Sequence, residues 1–99
     1  MFFRKKPANI YVKEEAQGIY RLRVRTTAHG DTVDLRFTRA AHIGVDDDGG
    51  YVFRKAILSS QHLDRGEVVV RFDRRYTVLE TQVTGGELVP FREWEDPRS

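Results

Sequence analysis

Hydrophobic and polar residues alternate along much of the chain, most clearly on either side of His29-Gly30. Residues 19–26 read Ile-Tyr-Arg-Leu-Arg-Val-Arg-Thr, and residues 32–38 read Thr-Val-Asp-Leu-Arg-Phe-Thr. A period of two is typical of strands with one buried face, so both segments are predicted to be strands of one hairpin. The inward side chains would be Tyr20, Leu22, Val24, Val33, Leu35 and Phe37.

The glycine at position 30 favours a tight connection between these two strands, because glycine adopts positive φ without steric cost. If His29 and Gly30 form a two-residue loop, the strand register follows. The inward pairs would be Val24 with Leu35 and Leu22 with Phe37.

The same register predicts two contrasting pairs on the outward side of the hairpin. Arg25 would lie opposite Asp34, which is favourable, whereas Arg23 would lie opposite Arg36. Two like charges directly opposite one another are mildly destabilising, so an anion is expected near the second pair.

The remaining segments extend the β pattern. Further strands are predicted over residues 9–15, 51–58, 67–73, 76–83 and 88–92. The segment 67–73 is rich in β-branched residues and is predicted to be the most buried strand, whereas Pro90 places the last strand at an edge.

The connections between these strands are mostly short. Residues 46–50, Asp-Asp-Asp-Gly-Gly, predict a tight turn, since three consecutive aspartates without a distant glutamate lack the spacing of a calcium loop. Residues 39–45 are predicted to be extended with a bend, residues 59–66 to contain about one helical turn, and residues 84–87 to form a hairpin turn.

Six or seven antiparallel strands with short connections predict an all-β meander. A small barrel is the preferred architecture, because closure removes exposed edges, and a two-sheet sandwich is the alternative. We expect a single domain over residues 9–94, an N-terminal arm over residues 1–8 that is mobile or an edge strand, and a frayed tail over residues 95–99. No internal repeat is evident.

Composition narrows the functional classes. The 99 residues contain no cysteine, which excludes disulfides and thiolate metal sites. The N-terminus does not resemble a secretory signal, and no apolar run has the length of a membrane span. We therefore expect a soluble protein with no membrane partner, and the cytoplasm is its default location.

Catalytic chemistry has little support in the sequence. The three histidines, His29, His42 and His62, are predicted in a turn, near a strand end and in a connector, without the close spacing of a metal site. The serine pair at 59–60 lacks a nucleophile elbow and is interpreted as a cap. We therefore expect no enzyme activity, cofactor or metal.

The distribution of charge is less even than the net charge of +2 suggests. Residues 1–45 contain nine Lys and Arg against four Asp and Glu, and residues 46–99 contain eight against eleven. The candidate nucleic-acid-binding residues are Arg21, Arg23, Arg25 and Arg36 on the outward side of the hairpin, with Lys5 and Lys6 of the arm. An ordinary solvated face and a site for an acidic protein partner are the competing interpretations, because Tyr20 and Phe37 are predicted to point inward and leave no aromatic for base stacking.

These observations favour a non-enzymatic binding module whose partner is nucleic acid or another anionic polymer. A structural or regulatory protein is the alternative. Such a protein would assemble with itself or with a protein partner through an edge strand or through the Phe2-Phe3 arm.

Overall fold

The structure is a computed structural model that describes residues 9–94. The strands in this part of the chain are β1 (Lys13–Ala16), β2 (Ile19–Thr26), β3 (Thr32–Thr38), β4 (Gly44–Val45), β5 (Tyr51–Leu58), β6 (Arg65–Phe72), β7 (Val78–Thr84) and β8 (Gly86–Leu88). One turn of α-helix, α1 (Arg39–His42), follows β3, and a 3₁₀ turn covers Phe91–Glu93. Within these residues no helix is long and apolar enough to cross a membrane.

The strands form two antiparallel four-stranded sheets, which confirms the all-β class. The first sheet has the order β1-β2-β3, with β8 also paired to β2, and the second has the order β4-β5-β6-β7. The two sheets do not close into a barrel, so the barrel expectation is wrong and the two-sheet alternative is the observed arrangement. Between β3 and β5 the chain forms only a helical turn and the two-residue strand β4. Among the described residues, no strand pairing links the edge strand β3 of the first sheet to β4 of the second.

On the other side the chain passes directly from the second sheet to the first. β7 pairs with β6 and β8 pairs with β2, and only Gly85 separates them. Gly85 has φ 79°, and a Cβ placed on it would lie 2.3 Å from the carbonyl oxygen of Arg65. The hairpin turn predicted over residues 84–87 is therefore wrong: a glycine bend lets one nearly continuous strand contribute to both sheets.

Side chains from both sheets meet in one core. The Phe37 ring of the first sheet stacks on Phe53 of the second, with ring centroids 3.8 Å apart and planes 7° apart. The buried hydrophobic residues are Val12, Tyr20, Leu22, Val24, Phe37, Phe53, Ile57, Val68, Val69, Val70, Phe72 and Val89. β6 contributes four of them, as its composition predicted, whereas Val33 and Leu35 of β3 are only partly buried against the core.

The β2–β3 register differs by two residues from the predicted one. The inward pairs are Tyr20 with Phe37, Leu22 with Leu35, and Val24 with Val33. The loop has four residues, 27–30, because the Thr26 N–H donates to the Asp31 carbonyl at 2.8 Å and the Gly30 N–H donates to the Thr26 carbonyl at 2.9 Å. A shift of two keeps every side chain on its predicted face but changes each cross-strand partner.

Other local differences have local causes. Asn9 accepts hydrogen bonds from the N–H groups of Tyr11 and Val12, so the first strand begins only at Lys13. Thr38 caps the unexpected α1 turn by accepting from the Ala41 N–H at 3.2 Å. Residues 59–64 form a hairpin loop in which the Leu63 N–H donates to the Ser59 carbonyl, the i→i+4 bond of the single helical turn that was predicted. The predicted tight turn at residues 46–50 is also confirmed.

Candidate functional site

The outward side chains of Arg21, Arg23 and Arg25 on β2 and Arg36 on β3 share one face of the first sheet, which we call the arginine face. The alternation along each strand explains this placement, since odd positions of β2 oppose its buried even positions. Lys5 and Lys6, the other two sequence-derived candidates, lie outside the described residues.

Arg23 is opposite Asp34, not Arg36 as predicted. Its Nε donates to Asp34 Oδ1 at 2.7 Å and its Nη2 donates to Oδ2 at 3.2 Å. This two-point contact holds the Arg23 guanidinium in a fixed orientation.

The like-charge pair on this face is Arg21 with Arg36. Glu15 lies at a register irregularity of β1, between Glu14 and Ala16, and its carboxylate bridges the two guanidinium groups. One oxygen is 3.3 Å from Arg21 and the other is 3.1 Å from Arg36. The anion expected beside a like-charge arginine pair is thus supplied by the protein itself.

Trp94 adds an aromatic ring to the arginine face. The guanidinium carbons of Arg21 and Arg23 lie 4.9 Å and 5.6 Å from the indole centroid, and the indole N–H donates to the Val89 carbonyl at 2.9 Å. Both arginines are within cation–π range of the ring. The sequence pattern did not predict this contact, because Trp94 follows the last strand and belongs to no alternating segment.

The arginines of this face differ in how far they are neutralised. The Arg36 side chain is 70% exposed, and Glu15 is its one ion-pair partner among the described residues. Arg25 is exposed and forms no ion pair in this part of the chain, although Glu87 lies opposite it on β8. A shallow depression of about 210 Å³ is lined by Glu15, Arg21, Asp34, Leu35 and Arg36. Arg25 and Arg36 are therefore the guanidinium groups most available to a ligand.

A second cluster lies where the β2–β3 and β5–β6 loops meet. The first loop reads Thr-Thr-Ala-His-Gly-Asp over residues 26–31, and the second reads Ser-Ser-Gln-His-Leu-Asp over residues 59–64. Both follow the pattern hydroxyl, hydroxyl, any residue, His, any residue, Asp. The similarity covers six residues in each loop, too few to be a repeat of a structural unit.

The backbones of the two loops match as well. The Ser59 N–H donates to the Asp64 carbonyl at 2.9 Å and the Leu63 N–H donates to the Ser59 carbonyl at 3.1 Å, the same bonds that close the first loop. Gly30 and Leu63 occupy the equivalent position with φ 72° and 59°.

The six polar residues at the ends and centres of these loops form what we call the His–Asp clasp: Thr26, His29, Asp31, Ser59, His62 and Asp64. The imidazoles of His29 and His62 stack with centroids 3.9 Å apart and planes 7° apart. Nδ1 of His29 lies 2.7 Å from Asp64, and Nδ1 of His62 lies 2.9 Å from Asp31. Each histidine thus contacts the aspartate of the other loop.

The hydroxyl groups complete a reciprocal network beneath the histidines. Ser59 Oγ donates to Asp31 and accepts from the Asp64 N–H, at 2.7 Å and 2.9 Å. Thr26 Oγ1 donates to Asp64 and accepts from the Asp31 N–H, at the same two distances. Because the loops belong to different sheets, the network ties the sheets together at one end.

Hydrogen bonds keep both carboxylates of the clasp ionised. Burial favours the neutral form of Asp31, but hydrogen bonds from Ser59 and His62 outweigh it, and the pKa of Asp31 falls below its ordinary value. The Thr26 hydroxyl is the main cause that lowers the pKa of Asp64, with a further contribution from His29. The side chains of Asp31 and Asp64 are only 4% and 7% exposed, so their charges lie beneath the imidazoles and not at the surface.

Family models, curated proteins and solved structures were compared with the chain, and none matches.

The sequence placed the three histidines in separate local settings, and the structure brings two of them into contact. His42 remains apart, at the end of α1, where its Nδ1 accepts from the Thr38 N–H at 3.0 Å. Among the described residues, no group of three or more histidine, aspartate, glutamate or cysteine side chains is arranged to hold a metal ion. The recurrence of His-x-Asp after a hydroxyl pair was the available signal for the clasp.

Proposed function

We propose that the protein is a non-enzymatic binding module that holds single-stranded nucleic acid on the arginine face. The observation that carries this proposal is Trp94, which places an aromatic ring against Arg21 and Arg23. Proteins that bind single strands combine a basic surface along the backbone with aromatic side chains that stack on bases. The sequence pattern predicted the first component and lacked the second.

The ion pairs on this face do not prevent phosphate binding. Exposed pairs between arginine and carboxylate contribute only about 0–1 kcal/mol, so a polyanion that releases counterions competes with them readily. Arg25 and Arg36 would contact phosphates, while Arg21 and Arg23 hold Trp94 in place for stacking.

Trp94 also provides the measurement, because it is the only tryptophan in the chain. Titration with a mixed-sequence single-stranded oligonucleotide should quench its fluorescence, and the affinity should fall steeply as salt rises. Arg36→Gln removes one phosphate contact and should reduce the magnitude of the log-log salt slope by roughly 0.7.

Arg54→Gln is the matched control. Arg54 is 57% exposed on β5 of the other sheet and is held by one glutamate, Glu67, at 3.3 Å, much as Arg36 is held by Glu15. The control should bind like the wild type. Absence of binding at about 50 mM salt, or the same slope for both variants, would rule out the arginine face as a nucleic-acid site.

Self-assembly through an edge strand is the second candidate, and β7 favours it. β7 is the last strand of the second sheet, contains one charged residue, Glu80, among seven, and exposes 43% of Leu79. Unprotected edges of this kind pair with other strands. Assembly predicts a molecular mass that rises with protein concentration in the wild type and stays at the monomer value in Leu79→Lys. This result, together with no oligonucleotide binding, would favour assembly over the arginine-face proposal.

A further inference from the structure

The Nε2 atoms of His29 and His62 take no part in the hydrogen-bond network of the clasp. Both Nδ1 atoms are committed to aspartates, and neither Nε2 has a hydrogen-bond partner among the described residues. The side chains of His29 and His62 are 47% and 49% exposed. Each of the two stacked rings therefore keeps one nitrogen outside the network, and the buried carboxylates set the tautomer of both rings.

We propose that His29 and His62 form a binding site for a phosphate-class oxyanion, which enters together with protons taken up by the two imidazoles. In this state each Nε2–H donates to a different oxygen of one anion. The site is distinct from the arginine face, because its two donors are histidines in loops of both sheets.

The parallel stacking of the rings favours an oxyanion over a chelated metal ion. A metal bonded to both Nε2 atoms would lie about 2.1 Å from each. The rings are stacked with nearly parallel planes and centroids 3.9 Å apart, so an ion that lies in the plane of one ring, along its lone pair, lies outside the plane of the other. An oxyanion offers two separate oxygens, so N–H groups in two stacked planes can each bond a different oxygen, at about 2.8 Å, without unstacking.

The charges around the site determine when an anion is accepted. With neutral imidazoles the clasp carries the two negative charges of Asp31 and Asp64, which repel anions. Protonation of both histidines brings the clasp to zero net charge and creates two outward donors. Arg25 precedes Thr26 and Arg65 follows Asp64 in the chain, and both are exposed and add positive charge at this end of the molecule.

A bound anion also removes the main cost of the doubly protonated state. Two stacked imidazolium rings repel each other, and an oxyanion that bridges them offsets this repulsion. Histidine is the side chain whose charge normally changes between about pH 5 and 8. Anion binding should therefore strengthen as the pH falls through this range and should be coupled to proton uptake.

Calorimetric titration of the whole chain with sodium sulfate tests the proposal first, since sulfate keeps its charge across this range. Binding should be measurable at about pH 5.5 and at least tenfold weaker at about pH 8. Repetition in two buffers of different ionisation enthalpy should show net proton uptake. Inorganic phosphate should bind at the lower pH as well. No binding at pH 5.5, or equal affinity at both values, would overturn the proposal.

Variants locate the site. His29→Gln and His62→Gln should each lose most of the sulfate affinity, whereas His42→Gln, which alters an exposed histidine outside the clasp, should not change it. If a clasp variant fails to fold, the imidazole NMR signals of the wild type decide the matter. On sulfate addition the signals of His29 and His62 should shift and those of His42 should not, and shifts confined to His42 would contradict the site.

A parallel titration with a short oligonucleotide distinguishes free phosphate from a polymer phosphate as the source of the anion. If the clasp variants lose affinity for the oligonucleotide as well as for sulfate and phosphate, the natural ligand is a phosphate of a nucleic acid. If they lose affinity only for sulfate and phosphate, the natural ligand is a free anion. Arg36→Gln should leave sulfate binding unchanged, so that failure of the clasp proposal and failure of the arginine-face proposal give different results.

Discussion

Glu15 shows how one residue changes the meaning of an arginine pair. Two arginines face each other on β2 and β3, as alternation predicted, but the pair is Arg21 with Arg36. The register irregularity in β1 brings the Glu15 carboxylate between them. The repulsion that the sequence attributed to an external ligand is therefore relieved within the chain, by the Glu15 carboxylate.

The corrected register reverses the expected effect of removing Arg23. Opposite another arginine, Arg23→Thr would be neutral or slightly stabilising. Because Arg23 pairs with Asp34 and contacts Trp94, Arg23→Thr should lower the free energy of unfolding by about 0.5–1 kcal/mol. Urea denaturation at low salt measures this change.

Arg25→Thr serves as the control for that measurement, because Arg25 forms no ion pair among the described residues and lies opposite Thr32. Its unfolding midpoint should stay close to that of the wild type. A midpoint for Arg23→Thr at or above the wild-type value would mean that the contact with Asp34 does not stabilise the fold.

At the scale of elements, the β2–β3 and β5–β6 hairpins use one loop design with one difference. Gly30 in the first loop and Leu63 in the second both have positive φ. A left-handed conformation costs a residue with a side chain roughly 1–2 kcal/mol, whereas glycine adopts it freely. Leu63 is 64% exposed, so packing recovers little of this cost.

Leu63→Gly should therefore stabilise the protein by up to about 1 kcal/mol, after the entropy that glycine adds to the unfolded chain is counted. Gly30→Ala should have the opposite effect and cost about 1 kcal/mol, since its Cβ meets open space and only the backbone conformation is strained. Denaturant midpoints of the two variants give the comparison. Destabilisation by Leu63→Gly would show that the exposed leucine makes a contact worth more than its strain.

For the molecule as a whole, the passage of one strand between two sheets is the least tolerant feature. Gly85→Ala would place a Cβ 2.3 Å from the Arg65 carbonyl oxygen and force alanine to φ 79°. We expect Gly85→Ala to lower the free energy of unfolding by more than about 2 kcal/mol, since the backbone strain and the clash add and a backbone atom cannot move aside.

Gly44→Ala is the control for this substitution, because a Cβ there meets nothing within 4 Å and needs no positive φ. It should change stability by less than about 0.5 kcal/mol. Thermal unfolding of the two variants measures the difference. Equal melting temperatures would show that the two sheets can separate at this point without loss of the fold.

The alternation of side chains by itself determined the long strands β2, β3, β5 and β6, their faces and most of the core. These features are local, because successive residues of a strand point to opposite sides whatever the strand is paired with. Tyr20, Leu22 and Phe37 are buried, as the alternation predicted, and the arginines of β2 face outward. The turn at residues 46–50 was also predictable, since its residue types impose it.

Only the tertiary structure decided the register, the sheet partners and both candidate sites. A two-residue shift preserves the faces of β2 and β3, so alternation could not choose between Asp34 and Arg36 as the partner of Arg23. His29 and Asp64 are 35 positions apart, and their contact exists because two loops from different sheets meet. The alternation along a strand indicates which of its faces is buried. Contacts between residues far apart in the sequence depend on how the two sheets pack.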